Sequence, residues 1–398
     1  MRLLQIDIND EGIRHFLRKY MTVPKMDFSP IDFRSTYSTW VRFPRTGLRC
    51  LSAGTVTDFE WKDYGPAVFR HLQELDNIDY DEYMLSICGY ETLKSICSSG
   101  KNNKLLYLPH DGRFVIKPLR KSEMKVLLEM LPTYFHHVQR YGKTLLNKIY
   151  GLHVVRPDGG IKAYFSVMRN IFHSDLCIHK RFALKGSSQR RSCSRVVIDE
   201  ATTFKDQDLD FVFYLDPSTR HQVLTQIKHD CEFLEAAGIM GYSFLLGLHV
   251  GTPCQDLEGS PTQKNSLLNE YSRTCEEQVS TPDNNYQQPH THRPNNLGVE
   301  MPARAVRLQR NETHPKVNTR ECYNVFLYFG IINTFQGYNV LKRIEHAYKS
   351  IQYDSRSISA VNPGVYSTRF QDFLCKVFPI DDSDFQAVQT KETRDDPL

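Results

Sequence analysis

A lysine ends the apolar run Arg113-Phe114-Val115-Ile116-Lys117, so a strand here would carry an ammonium out of a hydrophobic wall. A helix follows with Glu123 in its first turn. A strand lysine paired with a helix glutamate is an arrangement that grips the α- and β-phosphates of a nucleotide. Taken alone, the pattern suits an ordinary surface lysine at a strand end better. Upstream, Ser98-Ser99-Gly100-Lys101-Asn102-Asn103-Lys104 sets a glycine-bearing loop where backbone N–H groups could meet phosphate. With one glycine and no Gly-x-x-x-x-Gly-Lys-Ser/Thr match, an ordinary turn explains it better.

Two further clusters are cationic. Arg181-Phe182-Ala183-Leu184-Lys185-Gly186-Ser187-Ser188, followed by Arg190, Arg191 and Arg195, joins charge to small hydroxyl side chains, which suits phosphate groups or a solvated basic loop equally. Lys342-Arg343-Ile344-Glu345-His346-Ala347-Tyr348-Lys349 reads as a basic amphipathic helix, able to lie on an anionic leaflet. A docked helix with a charged outer face is the commoner explanation. Metal and hydrolase chemistry find no footing. His136-His137 and the pair His290 and His292 lack a third ligand at metal spacing, and no Gly-x-Ser-x-Gly elbow occurs.

The elements that would position these groups follow from periodicity. Phe59 to Tyr64 leads into a helical recurrence at Val68, Leu72 and Leu75. Leu105 to Leu108 and Arg113 to Ile116 read as short strands joined by the turn Pro109-His110-Asp111-Gly112. Lys121 to Val138 is helical through Met124, Leu127, Leu128 and Leu131, with Pro132 predicting a kink or an early end. Strands are expected at Ala163 to Met168, Phe211 to Tyr214 and Tyr323 to Phe329. Helices are expected from Thr219 to Ala237, with the face Val223, Ile227, Phe233 and Leu234, and from Val340 to Ile351.

Residues 251 to 318 are rich in Pro, Asn, Gln, Ser and Thr and read as a disordered insert. The expected organisation is an N-terminal extension over 1–55 with no assigned role, then a first folded part over 56–250. The insert, a closing folded part over 319–380 and a flexible tail over 381–398 follow. The fold class is α+β.

Composition limits the function classes. The 398 residues are 40% hydrophobic and 24% charged, the balance of a globular protein. A net charge of +4, from 50 basic against 46 acidic residues, argues against nucleic acid and leaves an anionic membrane surface open. Ten cysteines scattered singly, without a Cys-x-x-Cys pair, read as reduced cytosolic thiols. Charge comes too early for a signal peptide, and no apolar run nears the roughly 20 residues of a membrane span. Any membrane contact is therefore expected to be peripheral.

The order of the segments is informative. Phe59-Glu60-Trp61-Lys62-Asp63-Tyr64, Ser86-Ile87-Cys88-Gly89, Phe114-Val115-Ile116-Lys117, Leu184-Lys185-Gly186-Ser187, Thr203-Phe204-Lys205-Asp206, Ile239-Met240-Gly241-Tyr242-Ser243, Ile344-Glu345-His346 and Ser357 to Phe370 are collinear. Together, over about residues 56 to 376, they resemble the phosphatidylinositol 4-phosphate 5-kinases, plant members especially. The resemblance implies a two-lobed fold distantly related to protein kinases. It implies transfer of the ATP γ-phosphate, with Mg²⁺, to the 5-hydroxyl of phosphatidylinositol 4-phosphate at the cytoplasmic face of the plasma membrane.

By the same resemblance, Lys117 is the ATP-phosphate lysine with Glu123 its partner, and Ser99, Gly100 and Lys101 form the phosphate loop. Lys185 belongs to the substrate side, Glu345 is associated with the 4-phosphate substrate, and Lys342 and Arg343 meet anionic lipid. A homo-oligomer stays open. Three family carboxylates are replaced. Met-Asp-Tyr-Ser reads Met240-Gly241-Tyr242-Ser243, Ile-Ile-Asp reads Ile331-Ile332-Asn333, and Asp-Leu-Lys-Gly-Ser reads Ala183-Leu184-Lys185-Gly186-Ser187. Glycine cannot accept a proton as a general base, and an Asn333 amide is a weak ligand for Mg²⁺. Asp230 and Glu232, on the helix preceding Gly241, are expected on its solvent face. An active lipid kinase and a phosphoinositide- or partner-binding pseudokinase both remain open.

Overall fold

The most apolar stretch of the first half, Ile149–Pro157, is buried on both faces for most of its length, as the centre of a sheet must be. The computed structural model describes residues 28–29, 32–33, 40–43, 58–88, 93–97, 105–187, 202–253, 297–310, 315–338 and 361–381. The chain divides into two compact units, the first comprising residues 1–174, 237–239 and 331–337, the second the remainder.

In the first unit the strands are β1 (Trp40–Phe43), β2 (Phe59–Asp63), β3 (Lys94–Cys97), β4 (Leu105–Leu108), β5 (Phe114–Leu119), β6 (Ile149–Pro157) and β7 (Ala163–Arg169). They form one sheet in the order β1-β2-β6-β7-β5-β4-β3, with every pairing antiparallel. Three helices accompany it: α1 (Pro66–Glu74), α2 (Tyr80–Cys88) and α3 (Lys121–Arg140). Strand alternation sends Phe59, Trp61, Phe114, Ile116, Val155 and Phe165 into a core with Tyr83, Met84 and Ile87 of α2.

A polar chain is built into that core. Asp63 accepts from the indole N–H of Trp61 at 2.5 Å and from Nδ1 of His153 at 2.7 Å. Nε2 of His153 in turn accepts from the Tyr83 hydroxyl at 2.7 Å. The network closes only because residue 151 has no side chain. A Cβ on Gly151 would stand 2.1 Å from the Tyr83 oxygen and 2.3 Å from His153 Nε2.

The helix α3 runs through Pro132 to Arg140, so of the two outcomes expected of Pro132 the early end is the one corrected. The loss of one backbone bond is outweighed by a face that buries Leu127, Met130, Leu131, Tyr134, Phe135 and Val138.

The second unit holds β8 (Lys180–Leu184), β9 (Thr203–Phe204), β10 (Phe211–Tyr214), α4 (Pro217–Ala236), β11 (Ser243–Pro253), β12 (Met301–Arg310), α5 (Pro363–Val377) and all of β13 (Pro315–Ile332) but its last two residues, which belong to the first unit. Its sheet runs β10-β12-β13-β11-β8-β9. Phe378, just past α5, meets the rings of Phe244, Phe329 and Phe213 at 6.0, 5.8 and 6.3 Å. Its carbonyl is fixed by Arg220 of α4 at 2.8 Å.

Three expectations are corrected here. The insert is too wide as read, because β12 lies inside it, paired with β10 on one side and β13 on the other. Its arginines disguise it in sequence. Two of them are neutralised in place, Arg307 by Asp210 at 3.1 Å and Glu321 at 2.8 Å, and Arg304 by Asp381. Asp230 is not on the solvent face of α4. It is fully buried and accepts from Gln226 at 2.9 Å, so the buried stripe runs Val223, Gln226, Ile227, Asp230, Cys231 and Leu234, with Phe233 half-buried. Glu232 does face solvent. The thiols are not all reduced: Cys88, Cys177, Cys231 and Cys375 are free, but Cys322 is disulfide-bonded, because spacing along the chain does not decide proximity in space. The helix expected at Val340 to Ile351, and most of the extension, insert and tail, lie outside the described residues.

Two measurements check this fold. Gly151→Ala is expected to break the Tyr83–His153 contact and to cost about 1–3 kcal/mol, read as a lower denaturant midpoint. The second concerns His179, whose Nδ1 accepts the Val250 N–H at 3.0 Å beside the ring of His249. Burial first, and then His249, lower its pKa from 6.5 to about 4. The unfolded chain takes this proton from about pH 6.5, so the stabilisation from neutral His179 is complete above that value and is lost as pH falls toward about 4. The melting temperature should fall through this window, and less steeply in His179→Asn.

Candidate functional site

The lysine of β5 sits within the strand and not at its end. Its backbone pairs with Ser166 of β7, and the residue is only 7% exposed. A buried ammonium needs compensation. Nζ stands 3.5 Å from the Asn333 amide oxygen and 4.7 Å from the centre of the Phe335 ring. Both groups come from the segment that follows β13. This segment joins the first unit through Ile331, which exchanges backbone bonds with Leu145 and Asn147 at 2.7 and 2.8 Å. An isolated bridge between Ile239 and Gly337 holds its other end. Glu123 caps its own helix: one carboxylate oxygen accepts the Arg120 N–H at 3.0 Å.

In the second unit, Lys185 leaves β8 on a turn fixed by Asp206. One oxygen of Asp206 accepts the backbone N–H groups of both Lys185 and Gly186, each at 2.7 Å. The Lys185 ammonium then donates to the carbonyl of Gly241 at 2.5 Å. The next residue, Tyr242, is buried against Tyr366 and Phe370 of α5, at ring separations of 4.7 and 5.0 Å. Its carbonyl accepts from the Tyr366 hydroxyl. Burial pushes the Tyr242 hydroxyl far above its usual range, so it stays protonated. Ala183 is buried inside β8, opposite Leu245.

Gly241 and Asn333 share a backbone property. Both adopt left-handed conformations, with φ of 75° and 64°. Glycine enters this region without strain, and asparagine does so more readily than other residues with side chains. The two residues are therefore well matched to their backbone, and neither supplies a carboxylate. Among the described residues no group of three or more His, Cys, Asp or Glu is placed to hold a metal ion.

The residues read from the sequence thus gather in pairs: Lys117 with Asn333, and Lys185 with Gly241. Ser99, Gly100, Lys101, Lys342, Arg343 and Glu345 lie outside the described residues. Asp206, Phe335 and Tyr366 were missed as site residues. Asp206 had a signal in the collinear Thr203-Phe204-Lys205-Asp206 segment, whereas nothing local marks Phe335 as the ring beneath a lysine.

A two-unit α+β chain with lysines seated in this way has clear relatives. The family model described as Phosphatidylinositol-4-phosphate 5-Kinase matches residues 87–377, and the chain belongs to that family. Phosphatidylinositol 4-phosphate 5-kinase 10 of Arabidopsis thaliana is 40% identical, over 87% of this chain and 96% of the relative. Phosphatidylinositol 4-phosphate 5-kinase 9 of the same plant is 42% identical over 92% of this chain, which spans 50% of that longer protein.

The left-handed backbone gives a direct prediction. Gly241→Asp should lower stability by about 1–2 kcal/mol, with Gly241→Ala costing a similar amount because the strain is in the backbone. Asn333→Asp should change the melting temperature little. A thermal melt of the three variants separates backbone strain from lost contacts.

Proposed function

We propose that this chain holds phosphatidylinositol 4-phosphate and ATP as a member of the 5-kinase family, while transferring the γ-phosphate to the 5-hydroxyl slowly or not at all. The observation that carries this reading is the pair Gly241 and Asn333. Both stand on left-handed backbone that suits glycine and asparagine, where the resemblance calls for aspartates. Phosphoryl transfer draws nearly all of its protein contribution from positioning and electrostatics. Removing a general base alone costs about 10²–10⁴ in rate.

The fit of the cofactors differs between the two. Lys117, buried and compensated by an amide and a ring, is suited to hold nucleotide phosphate. For Mg²⁺ the donor set is poor, since Asn333 offers an uncharged amide and Gly241 nothing. Magnesium, when bound, neutralises charge on the β- and γ-phosphates. In this reading Lys185 holds the Gly241 turn in place, Glu345 favours the 4-phosphate substrate, and Lys342 and Arg343 meet the bilayer. The contact is peripheral, at the cytoplasmic face of the plasma membrane, and no helix among the described residues is long and apolar enough to cross a membrane.

The second reading, a working lipid kinase, is favoured by the retained Lys117 and Lys185 and by relatives about 40% identical that carry the name of the activity. A single assay decides between them. Purified protein is expected to give little or no ATP-dependent phosphorylation of vesicles containing phosphatidylinositol 4-phosphate. Robust product formation that disappears in Lys117→Ala would overturn the impaired reading. Gly241→Asp/Asn333→Asp is expected to raise turnover, and no recovery would place the defect elsewhere. Vesicle sedimentation should weaken with salt and in Lys342→Ala/Arg343→Ala.

A further inference from the structure

Three cations converge on one aromatic ring at the β1 edge of the first unit. The Lys62 ammonium lies 5.8 Å, the Lys162 ammonium 5.3 Å and the Arg156 guanidinium 5.2 Å from the centre of the Trp40 ring. The register explains the convergence, because Trp40 on β1 is opposite Lys62 on β2, Lys62 is opposite Val154 on β6, and Val154 is opposite Tyr164 on β7. These side chains therefore share one face of the sheet. Lys62 also lies 4.8 Å from the Tyr64 ring. Burial, and then Tyr164, raise the pKa of Tyr64.

Among the described residues the charges are not balanced. Arg156 pairs with Glu60, and the neighbouring Arg42 with Asp58 at 3.2 Å. Among the described residues Lys62 and Lys162 have no carboxylate partner. They repel each other: burial first, and then Lys162, hold the Lys62 ammonium below its ordinary pKa. A fold that keeps two like charges together over aromatic rings leaves a position where an anion is attracted. Beside it is an apolar tip. Ile161, in the β6–β7 hairpin and next to Lys162 in sequence, is 91% exposed, the highest value among the exposed large hydrophobic residues described. A tryptophan, tyrosines, lysines and an exposed isoleucine together make the composition of a surface that meets the bilayer interface.

We infer that the Trp40, Lys62, Arg156, Lys162 and Ile161 face of the first unit docks on an anionic phospholipid surface, the lysines taking lipid phosphate or carboxylate and Ile161 entering the acyl boundary. Soluble phosphate would satisfy the cations but leave Ile161 and Trp40 without a role, so the bilayer is the occupant favoured. The inference rests on the peripheral membrane reading above, but uses residues apart from Lys342 and Arg343.

Intrinsic fluorescence tests it on the full chain, which has two tryptophans. Trp61 is buried, so only Trp40 can meet lipid. Phosphatidylcholine vesicles containing phosphatidylserine and brominated acyl chains should quench the emission, and the quenching should vanish in Trp40→Phe. Removing one charge in Lys162→Gln should weaken partitioning about 5-fold. Ile161→Ser should reduce quenching further, and both residues are exposed, so these variants keep the fold. The Lys342→Ala/Arg343→Ala variant should keep the Trp40 quenching on the fraction still bound. Vesicle binding that depends on Lys342 and Arg343, with Trp40 unquenched and Lys162→Gln unchanged, would overturn the inference and leave the proposed function standing. Trp40 quenching with no effect of Lys342→Ala/Arg343→Ala would uphold the inference against that part of the proposed function. An emission change with pyrophosphate but none with vesicles would reveal a soluble-anion site and overturn the bilayer assignment.

Discussion

Lys117 is an ammonium placed inside a sheet, and a charge so far from water has to be compensated by its surroundings. That requirement organises the first unit. Central antiparallel strands hold the lysine backbone rigid, while the chain returning from β13 brings an amide and an aromatic ring to its side chain. Ile331 ties this return segment to Leu145 and Asn147, so distant parts of the chain meet at one ammonium. In the second unit a half-buried lysine meets a backbone acceptor. Asp206 fixes the turn that carries Lys185, and the Gly241 carbonyl receives its charge.

The two positions beside these lysines illustrate a conflict between backbone and chemistry. A carboxylate on left-handed backbone carries strain, which an active site can retain when turnover depends on it. Glycine at 241 avoids that strain, and neither Gly241 nor Asn333 carries a charge. The Lys185 ammonium donates to the carbonyl of Gly241, and that of Lys117 stands 3.5 Å from the Asn333 amide oxygen. Neither position brings a carboxylate to these cations.

Much of the architecture was legible. The strands β4 and β5, their turn, β7, β10 and the long helices α3 and α4 follow from apolar spacing, which depends on residues close in sequence. The failures involve partners far along the chain. Pro132 does not end α3, because tertiary burial outweighs a local penalty. β12 looks like part of a linker until Asp210, Glu321 and Asp381 are set against its arginines. Asp230 reads as a surface acid until its helix is turned inward and Gln226 meets it.

By itself the sequence determined the family, through collinear motifs, and the identity of the residues that could do chemistry. It also determined that positions 183, 241 and 333 carry no carboxylate, since that is a matter of residue type alone. Tertiary structure decided the rest: that Lys117 lies over Phe335, that Lys185 reaches the Gly241 carbonyl, and that Gly241 and Asn333 occupy left-handed backbone. It also decided that Lys62, Arg156 and Lys162 gather on Trp40. Such arrangements depend on sheet register and chain return, which bring together residues that no local pattern connects.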